Sequence, residues 1–268
     1  MSQRFLTRNQ IAAHLAEVGL RPGTDVMVHA ALSGIGYLVN GADDIVDAIL
    51  DAIGPSGTLL APGHSGQLCD PADWTAPAAP AEMVEVIRAN MKPFDKRRTP
   101  IRNRGAVAEA VFRLPGVERS DHPLVSVLAF GARAGEYTQS HPLHASEGVG
   151  SPYHRLYENG GKILLFGVDM ASCTAPHVAE FLADCSYLRE NVRNVLVVDD
   201  SGRREFVRLE LYPSTSKYFP KMRPHLISVG GLAEVRIGDY TITLFDLKAT
   251  VDYGVEQLRK DELYFQKP

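Results

Sequence analysis

Lys162-Ile163-Leu164-Leu165-Phe166-Gly167-Val168, followed shortly by Thr174-Ala175-Pro176-His177-Val178-Ala179-Glu180, is the stretch whose reading decides the fold. The first segment is short and apolar and follows Gly160-Gly161, the pattern of a strand buried on both faces. Thr174 is the expected cap of the helix that follows. Pro176 suits its first turn, where a missing amide loses no hydrogen bond. A buried strand running through a turn into a helix is the unit of an α/β fold, and such folds place ligands at the carboxyl ends of their strands. His177 and Glu180 stand three apart at that end, so their side chains share one helix face. The helix dipole disfavours an imidazolium there, while the carboxylate favours it and orients the ring. That balance suits a general base working near neutral pH. The same spacing also describes an ordinary surface pair contributing about a few tenths of a kcal/mol.

Upstream, Thr7-Arg8-Asn9-Gln10 has the form of a capping box and opens a helix to about Val18. Residues 25–29 read as a strand, 43–53 as an amphipathic helix with Ile45, Val46, Ile49 and Leu50 on one face, and 57–61 as a second strand. Residues 62–80 are rich in Pro, Gly, Asp and Ala, which predicts a long irregular loop of the functional kind. Helices are expected at 81–91, 105–112 and, capped by Ser151, at 152–157, with a strand at 125–131. Downstream, 194–198 and 204–211 flank the hairpin signal Asp199-Asp200-Ser201-Gly202. A helix at 224–230, a second hairpin over 233–245 around Gly238-Asp239 and a last helix at 248–259 complete the chain. Strands alternating with helices, then late hairpins, predict an α/β fold. Its mixed central sheet is flanked by helices and carries antiparallel strands at one side. Residues 1–268 are expected to form one domain, with a late hairpin subregion at about 192–247.

The 268 residues carry enough apolar side chains for a substantial core, and no run is long enough to span a membrane. Met1-Ser2-Gln3-Arg4-Phe5-Leu6 lacks the pattern of a signal peptide, and Cys69, Cys173 and Cys185 form no paired motif, so a cytoplasmic location is expected. A formal charge of -4 gives no basic footprint for nucleic acid.

The strand at 25–29 runs into Ala30-Ala31-Leu32-Ser33-Gly34-Ile35-Gly36, and after Gly41 the chain enters a helix. Glycines admit close approach of backbone amides, and a helix start favours anions, so a pyrophosphate is a natural guest; a plain strand-to-helix connection is the competing reading. Neither the dinucleotide fingerprint nor a Walker A loop is present. Lys96-Arg97-Arg98 is a basic stretch suited to a phosphate or to solvent. His122 leads into a strand either as a second site histidine or as a hydrogen-bonded structural one.

Together these segments resemble the aminoglycoside 3-N-acetyltransferase family of acetyl-coenzyme A enzymes. The likeness is collinear over nearly the whole first 190 residues. It runs through Val28 to Gly36, Gly57 to Pro62, Pro93-Phe94-Asp95 with Arg98-Thr99-Pro100, and Gly105 to Glu109. It continues through Pro115-Gly116 with Arg119-Ser120-Asp121-His122-Pro123, Gly150-Ser151-Pro152, and Leu164 to Glu180. The resemblance implies a mixed α/β fold distinct from the common acetyltransferase fold. It makes His177 and Glu180 the catalytic base and its orienting carboxylate. The coenzyme A cradle it implies comprises Ala31, Leu32, Ser33, Gly34, Ile35, Gly36, Gly41, Thr99, Ser126 and Val127. The implied partners are acetyl-CoA and a small-molecule amine, with no metal, no nucleic acid and no membrane, and a homodimer left open. Asp70, Asp73, Asp95 and Asp184, with Glu82, are the carboxylates available to an amine pocket.

Two departures bear on the acceptor. Resistance members carry an acidic run after the second strand of the first late hairpin. This chain has Leu211-Tyr212-Pro213-Ser214-Thr215-Ser216-Lys217 there, with Lys221 and Arg223 beyond. Ala30-Ala31 replaces the family's usual Ser-Ser. Three other readings stand beside acetyl transfer by a histidine base. One is an acyl relay through Cys173, four residues before His177 at a helix start; another is an acyl-CoA- or sugar-binding module without turnover. The third, metal hydrolysis, lacks the second histidine of the zinc protease motif.

Overall fold

The computed structural model describes residues 5–75, 77–199, 201–210, 213 and 215–268. Its strands are β1 (Phe5–Leu6), β2 (Asp25–Ala30), β3 (Tyr37–Leu38), β4 (Thr58–Pro62), β5 (Glu118–Arg119), β6 (Val127–Gly131) and β7 (Lys162–Phe166). Later come β8 (Arg193–Val198), β9 (Arg204–Leu209), β10 (Leu232–Ile237) and β11 (Tyr240–Asp246). The helices are α1 (Arg8–Glu17), α2 (Ala42–Ile53), α3 (Val84–Asn90), α4 (Gly105–Phe112), α5 (Ala134–Thr138), α6 (Pro152–Glu158), α7 (Val178–Leu182), α8 (Arg223–Ser228) and α9 (Leu247–Lys260).

A seven-stranded sheet runs in the order β10-β11-β7-β2-β4-β6-β5. Its centre, β7-β2-β4, is parallel, and the strands outside it pair antiparallel on both sides. The central strands are apolar on both faces because both faces are covered. Val26, Val28, Leu59, Ala61, Leu164 and Phe166 pack with Leu15, Ile45, Ile49 and Val111 from α1, α2 and α4. Met27, Leu60, Ile163 and Leu165 point the other way, onto Tyr153, Leu156, Val178, Val251 and Phe265. This period-two division assigns one set of side chains to each core.

Most sequence expectations meet their counterparts here. Thr7 caps α1 in a reciprocal capping box with Gln10, and Ser151 caps α6. Three details differ. Antiparallel strands edge the sheet on both sides rather than one, because β6 turns back along β4. The first late hairpin, β8-β9, stands outside the main sheet as its own two-stranded ribbon. It covers the long loop after β4, where the Asp70 amide donates to the Asn194 carbonyl at 2.8 Å. Thr174 makes no side-chain cap: its backbone is already helical, with φ -102° and ψ -42°, so its hydroxyl is not aimed at the following amides. The chain instead makes a 3-10 turn, Ala175–His177, leading directly into α7. Leu211, the expected end of β9, and Tyr212 and Ser214 of the non-acidic run lie outside the described residues.

Candidate active site

β2 continues to β4 on one side and is joined on the other by β7, so the chain reverses direction across the sheet between β2 and β7. Crevices open at such points beyond the carboxyl ends of parallel strands. One does here, a cleft of about 610 Å³. His29 and Ala30 of β2, Pro62 of β4 and His64 just beyond it form its floor, and Asn103, Arg104 and Gly105 border it. Glu147, Cys173, Thr174, His177 and Ser216 are among the other residues that line it.

The turn after β7 places His177 at the rim. Its backbone amide donates to the Thr174 carbonyl at 3.0 Å, and its ring packs edge-on against Phe219 with centroids 4.7 Å apart. Nδ1 is hydrogen-bonded to Glu180 Oε2. Glu180 has 0% exposure, and its other oxygen accepts from the Tyr187 hydroxyl and, at 3.3 Å, from Gln266 Nε2. A carboxylate held this way accepts only, so Nδ1 carries the hydrogen and Nε2 is the basic nitrogen. Nε2 has no protein partner among the described residues and is left to the cleft. Burial works to lower the His177 pKa, but the charge and hydrogen bond of Glu180, joined by the charge of Glu147, outweigh it and hold the pKa above the ordinary value.

The other cleft imidazoles behave oppositely. Burial, aided by the charge of Arg104, pushes His29 down to about 3 and His64 well below its usual range. His29 Nε2 is buried without a hydrogen-bond partner, whereas His64 Nε2 meets the Tyr153 hydroxyl at 3.0 Å. Burial raises Glu147 to about 7, against the lowering effects of His177 and of a hydrogen bond from Ser146. Sequence reasoning missed Glu147, His64 and Arg104 as cleft residues, and Tyr187 and Gln266 as supports of Glu180. None belongs to a local motif; loops bring them together only in the fold.

The residues expected to cradle coenzyme A divide into two groups. Ala31 to Gly36 continue β2 from the cleft floor, with Gly34 and Gly36 at positive φ of 93° and 101°. The Ala31 amide is already bonded to the Phe166 carbonyl. Gly41 precedes α2, whose first turn carries Asp43 and Asp44, so its positive end already faces two carboxylates. Thr99, Ser126 and Val127 sit deeper, around buried Arg119. Its guanidinium donates to the Thr99 carbonyl at 2.6 Å, the Gly63 carbonyl at 2.6 Å and the Ser126 hydroxyl at 2.9 Å. Thr99 Oγ1 accepts the Asp95 amide at 2.8 Å, and Val127 is fully buried in β6.

The four aspartates are not brought together. Asp73 lines a second cleft that shares His64, Asn103 and Arg104 with the first. Asp95 lines a third, more apolar one with Trp74 and Phe94, and its carboxylate accepts the amides of Arg97 and Arg98. Asp70 pairs with Arg88 and caps the turn at Ala72. Asp184, at φ 53° after α7, pairs with Arg189. His122 proves structural: Nδ1 accepts the amides of Leu124 and Val125, leaving Nε2–H to donate to the Leu143 carbonyl. Cys173 is buried, and burial with the charge of Asp169 raises its thiol well above the usual range, against the expected thiolate.

A family model described as aminoglycoside 3-N-acetyltransferase matches residues 27–259. The chain is 35% identical over 264 residues to aminoglycoside N(3)-acetyltransferase IX of Micromonospora chalcea, an alignment covering 93% of this chain and 92% of that protein. Its fold superposes on the crystal structure of the YokD protein from Bacillus subtilis with a TM-score of 0.87 at 28% identity, covering 96% of this chain and 94% of the other. A structure of AAC-IIIb as a binary complex with CoASH matches with a TM-score of 0.81 at 34% identity, covering 96% and 97% of the two chains. The chain therefore belongs to the aminoglycoside 3-N-acetyltransferase family, a family of acyltransferases. Among the described residues no helix is long and apolar enough to cross a membrane.

Proposed function

We propose that this chain, acting as one acetyltransferase domain, moves the acetyl group of acetyl-CoA onto an amine of an aminoglycoside or related amino-sugar compound. His177 is the base and Glu180 the carboxylate that orients it. The observation that carries this reading is the buried Tyr187–Glu180–His177 chain, which ends in a basic Nε2 open to the cleft. An amine bound as ammonium has no lone pair for attack, so a proton must leave first. In this reading Nε2 takes that proton and passes it to solvent, the nitrogen bonds to the thioester carbon, Nε2 takes the second proton from the nitrogen as the C–S bond breaks, and the imidazolium gives that proton to the departing thiolate. With the Ala31 and Ile35 amides already bonded within the chain, the backbone amides of Leu32, Ser33, Gly34 and Gly36 are the donors assigned to the tetrahedral oxyanion and the coenzyme. Kinship with a protein captured with CoASH supports the coenzyme assignment. The test is thiol release from acetyl-CoA across aminoglycosides and simpler amino sugars. Acetylated product from at least one is expected; coenzyme binding with no turnover on any amine would favour a binding module instead.

A further inference from the structure

Glu147 takes no part in the proposed proton transfer, yet it is 2% exposed and lines the same cleft as His177. Its loop is fixed from behind: His141 accepts from the Ser120 hydroxyl at 2.8 Å and donates to the Ser146 carbonyl at 2.6 Å, one residue before Glu147. The Ser146 hydroxyl donates to Glu147 Oε2, and Oε1 accepts no hydrogen bond among the described residues. A buried carboxylate with one oxygen unmet and a cleft before it is an acceptor site for a donor from outside the chain. An ammonium supplies both the charge and the hydrogen bonds.

The rest of the lining limits how many such charges enter. Among the described residues Glu147 is the one carboxylate of the main cleft, which it shares with Arg104. The adjoining cleft adds Asp73 but also Arg102 and Arg193. A second or third ammonium therefore meets guanidinium groups in surroundings that screen charge poorly. The side chains of Asn103, Ser172 and Thr174 also line the cleft and suit the uncharged hydroxyls of a sugar.

We propose that Glu147 anchors the acceptor's ammonium beside His177, and that the cleft takes a hydroxylated amine with a single positive charge, of the amino-sugar class, in preference to a polycation. This rests on the reading of the cleft as the acceptor site, so the test separates the two. Binding of glucosamine and of kanamycin is measured by calorimetry on the chain saturated with coenzyme A, in the wild type and in Glu147→Gln, Glu147→Asp and His177→Ala. Thiol release is followed in parallel. Glucosamine is expected to bind more tightly than kanamycin. Glu147→Gln should weaken glucosamine roughly tenfold or more, the worth of one hydrogen bond to a charged group, with coenzyme binding unchanged and partial recovery in Glu147→Asp. Tighter binding of kanamycin, or amine binding indifferent to Glu147→Gln, overturns the proposal even where His177→Ala abolishes turnover. Amine binding that depends on Glu147, with turnover that survives His177→Ala, keeps the anchor and removes the base.

Discussion

His177 and His29 line the same cleft, both more than nine-tenths buried, yet their rings are pushed in opposite directions. His29 has burial and a nearby guanidinium, and its imidazole stays neutral to about 3. His177 is buried too, but Glu180 stands in hydrogen-bond contact behind its ring, and Glu147 adds its charge. Desolvation alone strips an imidazole of its proton; one fixed carboxylate reverses the sign. The cleft thus pairs a ring whose proton a carboxylate helps to hold with a ring that burial keeps neutral.

The comparison breaks most visibly by removing the rings one at a time. His177→Ala should lower the acetylation rate by a factor on the order of a hundred to ten thousand with coenzyme binding largely intact, whereas His29→Asn should cost no more than about tenfold. Equal losses would mean that the two rings do not differ in role. Removing the carboxylate instead of the ring sharpens the point. With the His177 pKa above 6.5, the rate should climb with pH along a limb centred above that value, as the base sheds its proton. In Glu180→Gln burial is left less opposed, so the limb should move to lower pH, with a loss of about tenfold at its plateau. A limb that stays in place would reduce Glu180 to packing.

The neutral imidazoles predict a stability effect with its own sign. Unfolded histidine takes a proton near pH 6.5, but folded His122 does so only at about 4 and His29 only at about 3. Their stabilising contribution is thus complete above pH 6.5 and is lost as pH falls through that window, on the order of 3 kcal/mol for a ring like His122. Thermal melting followed from pH 7 to pH 4 should show a steady decline that is shallower in His122→Asn. The smallest effect is expected at Cys173. With its thiol held protonated by burial, Cys173→Ser should change turnover by about twofold or less. A larger loss, with a trapped acyl adduct, would restore the relay.

What the sequence disclosed follows its periodicities. β7 was legible because Ile163, Leu164, Leu165 and Phe166 are apolar on both faces, and α1 because Thr7 and Gln10 spell their own cap. His177 and Glu180 were legible as a pair since three-residue spacing on a helical turn fixes their neighbourhood without help from the rest of the fold. Thr174 misled because its backbone is already helical at the start of a 3-10 turn, where its hydroxyl is not aimed at an amide to cap. The partners that hold Glu180 from behind were hidden for a different reason. Tyr187 comes from the segment after α7 and Gln266 follows α9, and nothing local marks either as a partner of Glu180. No local motif marks Glu147, which joins the cleft only because His141 and Ser146 hold its loop there. Thr99 and Ser126 enter the expected coenzyme cradle by resemblance, and only the fold shows buried Arg119 donating to the Thr99 carbonyl and the Ser126 hydroxyl from within.

The sheet order also sets a schedule for synthesis. β2 emerges early and finds β4 soon afterward, but its other neighbour, β7, begins only at Lys162, and β11 must follow before β7 is itself flanked. Until then the growing chain displays an open apolar edge beside His29, the kind of surface that invites mispairing. Ribosome-bound chains halted before residue 162 should therefore be held by chaperones and cut readily by proteases, with protection arriving late and abruptly once both strands are out.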